Sequence, residues 1–282
     1  IQETFEELDA IKVMELLANI SLLAPLLVPV VGAALIDHVS WHWGFIGIAF
    51  LAFLSWFGLK AKMPESQVSI RKQPLSHILY DFKQVYKNKR FLGMTLALPM
   101  VSMPLMLWIA LSPVMLVEEL GFSSMQYGLA QFPVLGGLIL GNIVLIKIID
   151  KLALGQSVLI GLPIMLLGSL VLVAGVIWQD YLIWCLIAGM TLLSFGEGIS
   201  FSVLYRFALM SSEVSKGTVA AAVSMLLMFS FFFIIELVRV LYEQFHLIGY
   251  SVSCLVLIAL WFTFPRAILK QVLQERKQSG VF

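Results

Sequence analysis

Eight long apolar runs constrain this chain more than any other feature of its sequence. Each run has roughly 18 to 28 residues, and a helix rising about 1.5 Å per residue crosses a hydrocarbon core of about 30 Å at that length. Hydrophobic residues make up 60% of the chain and charged residues 12%, whereas soluble domains have about 25% charged residues. We therefore expect an all-α integral membrane protein, with helices predicted at 8–36, 43–59, 91–117, 126–149, 157–178, 182–210, 218–242 and 247–264.

The basic residues lie on one side of this predicted bundle. When the loops are assigned alternately to the two sides of the membrane, all but Arg239 of the 18 Lys and Arg residues fall on the same side. Because cytoplasmic loops carry an excess of Lys and Arg, we expect that side, with both ends of the chain, to be cytoplasmic. The net charge of +1 does not support nucleic-acid binding.

Two prolines one helical turn apart interrupt the first apolar run. The segment reads L-L-A-N-I-S-L-L-A-P-L-L-V-P-V-V-G-A from Leu16, with Pro25 and Pro29 at i and i+4 and Gly32 close behind. Proline bends a helix and small residues let another helix approach. Since such a bend is tolerated in a membrane only against protein or water, the pattern is typical of a transporter helix.

The end of this segment, V-P-V-V-G-A, resembles the fifth-helix signature G-P-x-x-G-G of drug:proton antiporters in the Major Facilitator Superfamily. Pro29 and Gly32 match the signature, while Val28 and Ala33 replace glycines. Other segments are similar to the MdfA-like branch of multidrug antiporters: I-Q-E-T-F-E-E, A-N-x-x-L-L-A-P-L-L, K-N-K-R-F, W-I-A-x-S-P, Y-G-L-x-Q-x-P and S-K-G-T-V, in this order. The resemblance implies a fragment that holds eight of an expected twelve transmembrane helices, the fifth to the twelfth.

The resemblance also divides the chain into four parts. Residues 1–60 would be the last two helices of the N-terminal half, 61–90 a cytoplasmic linker, 91–265 the six-helix C-terminal half and 266–282 a basic cytoplasmic tail. Within the linker, apolar residues from Leu75 to Tyr86 recur at helical spacing beside a basic face, which predicts an amphipathic interfacial helix. Two interpretations remain open, a solvated linker whose lysines meet anionic lipid headgroups and a specific lipid or partner site.

Glu197 and Glu15 are acids inside predicted spans. A charge at the middle of a bilayer costs at least about 2.5 to 3.5 kcal/mol. Glu197, in F-G-E-G-I, is either a protonatable or substrate-contacting carboxylate or a structural acid hydrogen-bonded to a neighbouring helix. Glu15 either faces a central cavity and attracts cationic substrates or reaches the cytoplasmic water.

Neutral side chains complete a predicted substrate cavity, because the resemblance places the first and third runs of this chain on the cavity. Asn19 and Gln131 are polar groups that can hydrogen-bond across helices, and packing alone would also explain them. The predicted lining is Glu15, Asn19, Ser21, Leu22, Pro25, Leu105, Met106, Ile109, Gln131 and Glu197, and the predicted helix motif is Pro25, Pro29 and Gly32.

Two charged pairs complete the predicted sites. Glu236 and Arg239, at i and i+3, predict an ion pair or an outer gate, with substrate contact as the alternative. Asp150 and Lys151 lie in an inner loop, where they either latch a closed state or are solvated loop charges.

These patterns favour a transporter over an enzyme, since the chain has no H-E-x-x-H, aspartate-rich or G-x-S-x-G motif. The resemblance implies proton-driven efflux of lipophilic drugs by alternating access in a bacterial inner membrane. The proton gradient would supply the energy, without a cofactor or metal, and the protein would be a monomer whose partners are drugs, protons and membrane lipids. The alternative is a truncated, inactive or structural membrane fragment that cannot transport alone.

Overall fold

The computed structural model of the protein describes residues 32, 40–62, 74–148, 155–212, 214–263 and 269–270, and most of these residues are helical. Contacts divide the chain into two compact units, Ile1–Gln73 with Phe122–Leu129 and Pro74–Gly121 with Ala130–Phe282. The helices are α1 (Trp41–Lys62), α2 (Leu75–Lys87), α3 (Lys89–Ser112), α4 (Ser124–Ile148), α5 (Gln156–Ile177), α6 (Leu182–Leu209) and α7 (Lys216–Thr263). A π-helix over Pro113–Glu119 continues α3, and a 3-10 turn over Gln179–Tyr181 precedes α6.

Six helices among the described residues are long and apolar enough to span a membrane. Five of them begin and end close to the predicted bounds, because each predicted run is uniformly apolar and bounded by polar residues. The predicted all-α membrane fold is therefore confirmed. The count of eight spans is not confirmed: the first predicted span lies outside the described residues apart from Gly32, and the last two are joined in α7.

The helix α7 reverses direction at His246. This residue has φ 50° and ψ −139°, which are not helical values. A Cβ atom added to Gly249 would lie 2.5 Å from the carbonyl oxygen of Leu241, whereas eight residues of straight helix would separate the two positions by about 12 Å. Residues 216–245 and 247–263 therefore form a hairpin. The predicted loop of four residues contracts to one, because helical conformation continues on both sides of His246.

Small residues bring α4, α5 and α6 into backbone contact. A Cβ on Gly168 of α5 would lie 2.7 Å from the carbonyl oxygen of Gly189 in α6. A Cβ on Gly198 of α6 would lie 2.5 Å from the carbonyl oxygen of Leu138 in α4. Lipid provides no hydrophobic force between helices, so close packing of small residues stabilises their association. The helix α6 is held between α4 and α5.

The helix α2 occupies the segment for which the sequence predicts an amphipathic interfacial helix, and within the second unit it packs on α7. The Tyr86 hydroxyl donates to the carbonyl oxygen of Ala222 in α7 at 3.3 Å, and Val85 is buried. Burial raises the pKa of the Tyr86 phenol above its usual value of 10.0. Asn88 follows α2 and caps α3, because its Oδ1 accepts from two backbone N–H groups of the first turn at 2.9 and 3.2 Å. Its amide also donates to the Ser211 carbonyl at 2.8 Å.

Candidate functional site

Glu197 lies near the middle of α6, and its side chain is only 6% exposed. The two flanking glycines contact different helices: Gly196 meets Met165 of α5, and Gly198 meets Leu138 of α4. Successive residues of an α-helix are about 100° apart around its axis. The Glu197 side chain therefore leaves α6 on a third side, between the two glycine contacts.

The carboxylate of Glu197 makes no hydrogen bond or ion pair with any other described residue. Ser194 and Ser200, three residues to either side, are also buried, and their hydroxyl groups lack a hydrogen-bond partner within the same part of the chain. Residues three apart are neighbours on a helix surface. The result is a polar strip on α6 whose hydrogen-bonding groups are not used by any residue that the structure describes. The partner that a purely structural acid requires is not found among the described residues.

Three predicted lining residues on α3 differ in exposure. Leu105 is 3% exposed, Met106 is half-buried and Ile109 is 49% exposed. Leu105 therefore packs inside the second unit, whereas Ile109 presents an exposed apolar surface.

Gln131 is buried and joins α4 to the end of α3. The indole N–H of Trp108 donates to Gln131 Oε1 at 2.7 Å, and Gln131 Nε2 donates to the Ser112 hydroxyl at 3.5 Å. The sequence predicts a hydrogen bond across helices for Gln131 but does not identify its partners. A signal was present, because the segment W-I-A-x-S-P places Trp108 and Ser112 one turn apart on α3.

An open apolar cavity of about 420 Å³ lies beside the first half of α7. The predicted site residues do not include this cavity, although Met and Phe side chains that recur at helical spacing could have indicated it. The lining residues are Ser224, Met225, Met228, Phe229 and Phe232.

Arg239 forms two ion pairs along α7. Its Nε donates to Glu236 at 3.0 Å, and its guanidinium also pairs with Glu243, one turn further along. The three side chains are about half exposed. The structure thus places Glu236 and Arg239 in direct contact and adds a second acid to the pair.

A second polar cluster, absent from the sequence predictions, joins the tip of the α7 hairpin to the end of the π-helix. The Tyr242 hydroxyl donates to one carboxylate oxygen of Glu119, and His246 Nδ1 lies 3.6 Å from the other. The rings of Tyr242 and His246 meet edge to face, with centroids 6.2 Å apart. No periodicity in the sequence indicates this contact, because 123 residues separate Glu119 and Tyr242.

The other predicted site residues stay predictions. Gly32 is helical and exposed. Those that lie outside the described residues are Glu15, Asn19, Ser21, Leu22, Pro25, Pro29, Asp150 and Lys151. In the described ranges, no three His, Cys, Asp or Glu side chains converge as metal ligands would.

Residues 3–235 match the family model of the Major Facilitator Superfamily. The chain belongs to the Major Facilitator Superfamily. It is 71% identical over 276 residues to the chloramphenicol resistance protein CraA of Acinetobacter baumannii, an alignment covering 98% of this chain and 67% of the relative. It is 40% identical to the multidrug transporter MdfA of Yersinia pestis over 244 residues, 86% of this chain and 59% of the relative. For MdfA of Escherichia coli the identity is 40% over 232 residues, 82% of this chain and 57% of the relative.

The predicted resemblance to the MdfA-like branch of the superfamily is therefore confirmed. Family membership and the apolar helices together identify a multi-pass bacterial membrane protein whose relatives are drug-resistance transporters rather than enzymes. The chain spans about three-fifths to two-thirds of the length of these relatives.

Proposed function

We propose that this chain forms the larger part of a proton-driven transporter that exports lipophilic drugs, chloramphenicol among them, by alternating access. Family membership and the 71% identity to a chloramphenicol resistance protein support the substrate class. The observation that carries the proposal is the carboxylate of Glu197, which is buried in a helix of membrane-spanning length and has no partner among the described residues.

The chemistry of Glu197 suits an exchange of a proton for a ligand. An ionised acid without a partner is unfavourable in an apolar bundle, so a proton or a cationic ligand group must neutralise it or a polar ligand group must hydrogen-bond to it. The two states exclude each other, which is the coupling that a drug:proton antiporter needs. The hydroxyls of Ser194 and Ser200 supply additional hydrogen-bonding groups beside the carboxylate.

Apolar surfaces of the same unit supply the lipophilic part of the binding site. Ile109 is exposed on α3, and the cavity beside α7 is lined by Met and Phe side chains with one hydroxyl. Methionine is flexible and polarisable, so it adapts to ligands of different shape. We further propose an inner-membrane monomer with both ends of this chain in the cytoplasm, as the distribution of basic residues predicts.

A second function, an inactive or structural membrane fragment, is favoured by one observation. The chain spans only about three-fifths to two-thirds of the length of its relatives. A cavity between two six-helix halves needs both halves, so the chain expressed alone would insert in the membrane without transporting.

The test is drug export in a susceptible bacterium that lacks its own drug pumps. The chain would be expressed alone and within its full-length gene product, and chloramphenicol resistance and protonophore-sensitive efflux of a fluorescent drug would be measured. We expect the full-length protein to transport and Glu197→Gln to lower proton-dependent efflux by about tenfold or more, equivalent to about 1.4 kcal/mol. Glu197→Asp should keep part of the activity, because it retains the carboxylate.

Asp180→Asn is the matched control, since it removes an exposed acid that makes no hydrogen bond or ion pair with the other described residues. Wild-type efflux in Glu197→Gln would refute the role of Glu197. Absence of export by the full-length protein would refute the transporter proposal. If the full-length protein exports the drug and this chain expressed alone does not, the chain is an inactive fragment.

A further inference from the structure

The outer part of α3 ends in a seven-residue π-helix that is held at both of its ends. Before it, Gln131 binds Trp108 and Ser112. At its last residue, Glu119 accepts a hydrogen bond from Tyr242. A π-helix is a rare, wider winding that is frequently found at functional sites. The π-helix is therefore anchored by hydrogen bonds at both ends, and loss of the bonds at one end would free that end.

We propose that Glu119, Tyr242 and His246 form a pH-sensitive latch that ties the π-helical end of α3 to the tip of the α7 hairpin. Each carboxylate oxygen of Glu119 faces a different partner of the hairpin. The Tyr242 hydroxyl donates to one oxygen at any pH at which the phenol is neutral. His246 Nδ1 lies 3.6 Å from the other oxygen, a distance of an ion pair rather than of a hydrogen bond. This second contact therefore strengthens when the imidazole carries a proton.

Among the described residues, His246 is the cation that pairs with Glu119. Arg239 lies on the same hairpin, but it is paired with Glu236 and Glu243. Glu118 precedes Glu119 on the π-helix and adds negative charge near Tyr242. Asp180, on the 3-10 turn between α5 and α6, makes no hydrogen bond or ion pair with this cluster in the described part of the chain.

Histidine ordinarily changes its charge between about pH 5 and pH 8. The latch is therefore tight when the solution at the hairpin tip is acidic, and it depends on Tyr242 alone when that solution is alkaline. On the topology proposed above this solution is the periplasm, the side from which protons enter a proton-driven exporter. The device would bind the outer end of α3 to the hairpin while protons are plentiful there.

The test measures how fast a cysteine at the latched end reacts with a maleimide that does not cross membranes. Leu120→Cys, at a half-buried position after the π-helix, would report opening, and Asp180→Cys, at an exposed position, would be the reference. Both would be made in the full-length protein in intact cells, with Cys185 and Cys254 replaced by alanine. The ratio of the two labelling rates cancels the pH dependence of thiol reactivity.

We expect this ratio to rise about two- to fivefold from about pH 5.5 to about pH 8, the range for an exposed ion pair. His246→Gln should remove the rise, and Tyr242→Phe should raise the ratio at both pH values while leaving the pH dependence in place. Equal ratios in Tyr242→Phe and the parent, or a rise that persists in His246→Gln, would overturn the latch. If the reference cysteine at position 180 is not labelled from outside the cell, the hairpin tip does not face the periplasm and the latch proposal is wrong. Loss of drug export by itself would bear only on the proposed function.

Discussion

A single methyl group at Gly137 should separate α4 from α6, while the same group at the adjacent Gly136 should not. A Cβ on Gly137 would lie 2.5 Å from the carbonyl oxygen of Thr191 and 3.1 Å from its Cγ2. Nothing lies within 4 Å of the corresponding position at Gly136. Both glycines are inside the same helix, so Gly→Ala adds the same helix propensity, about 1 kcal/mol, at each position.

The difference between the two variants therefore isolates the contact between helices. The oxygen of Thr191 belongs to the backbone, which cannot rotate away as a side chain can, so α4 must move by several tenths of an ångström or more. Overpacking of this kind costs about 1 to 3 kcal/mol. We expect Gly137→Ala to be less stable than Gly136→Ala by that amount, a factor of about 5 to 150 in the unfolding equilibrium.

The assay is reversible unfolding of the detergent-solubilised protein by increasing mole fractions of SDS, followed by tryptophan fluorescence. Gly137→Ser would show whether a polar group of similar size suffers the same loss. Equal midpoints for Gly136→Ala and Gly137→Ala, or a higher midpoint for Gly137→Ala, would refute the close approach of the two helices.

Three further predictions concern the contacts around α3. Gln131→Ala should destabilise the protein by about 1 to 3 kcal/mol, because it leaves the buried N–H of Trp108 unpaired, and the double change with Trp108→Phe should recover part of this loss in the same unfolding assay. Asn88→Ala should cost about 1 to 2 kcal/mol by removing the cap of α3, whereas Asn88→Asp should cost less because it loses only the donor to Ser211. Burial raises the pKa of Tyr86, so above about pH 10 the folded state binds more protons than the unfolded state. The free energy of unfolding should therefore fall as the pH rises through this range. An alkaline unfolding titration should show a smaller fall in Tyr86→Phe.

The membrane helices could be predicted because length and hydrophobicity alone decide them. In α5, for example, no charged residue interrupts the run from Gln156 to Ile177. The reversal at His246 was placed correctly but was predicted as a loop of several residues, because polar Glu243 and Gln244 suggest a loop. These residues complete the last turn of the first segment instead.

The π-helix over Pro113–Glu119 could not be predicted. Its apolar residues satisfy an α-helical pattern equally well, and the contact at its last residue, Glu119, is made with Tyr242, 123 residues further along the chain.

The depth of Glu197 follows from its place in an apolar run, but its lack of a partner within the described ranges does not. That property depends on which sides of α6 are covered by α4 and α5, and the glycine contacts that decide this come from three different helices. Gln131 shows the opposite case. Its polar character predicts a hydrogen-bond partner, and that partner is the indole N–H of Trp108, a residue usually grouped with the hydrophobic ones.

The anchoring of α2 to the bundle decides where foreign sequence can be spliced into this protein. A fluorescent protein or a crystallisation chaperone inserted between Lys87 and Lys89 would pull Asn88 from the start of α3 and from Ser211. The same cargo inserted before Pro74 would break none of these hydrogen bonds. A reporter of movement in this protein therefore belongs before α2, where it would leave the second unit intact.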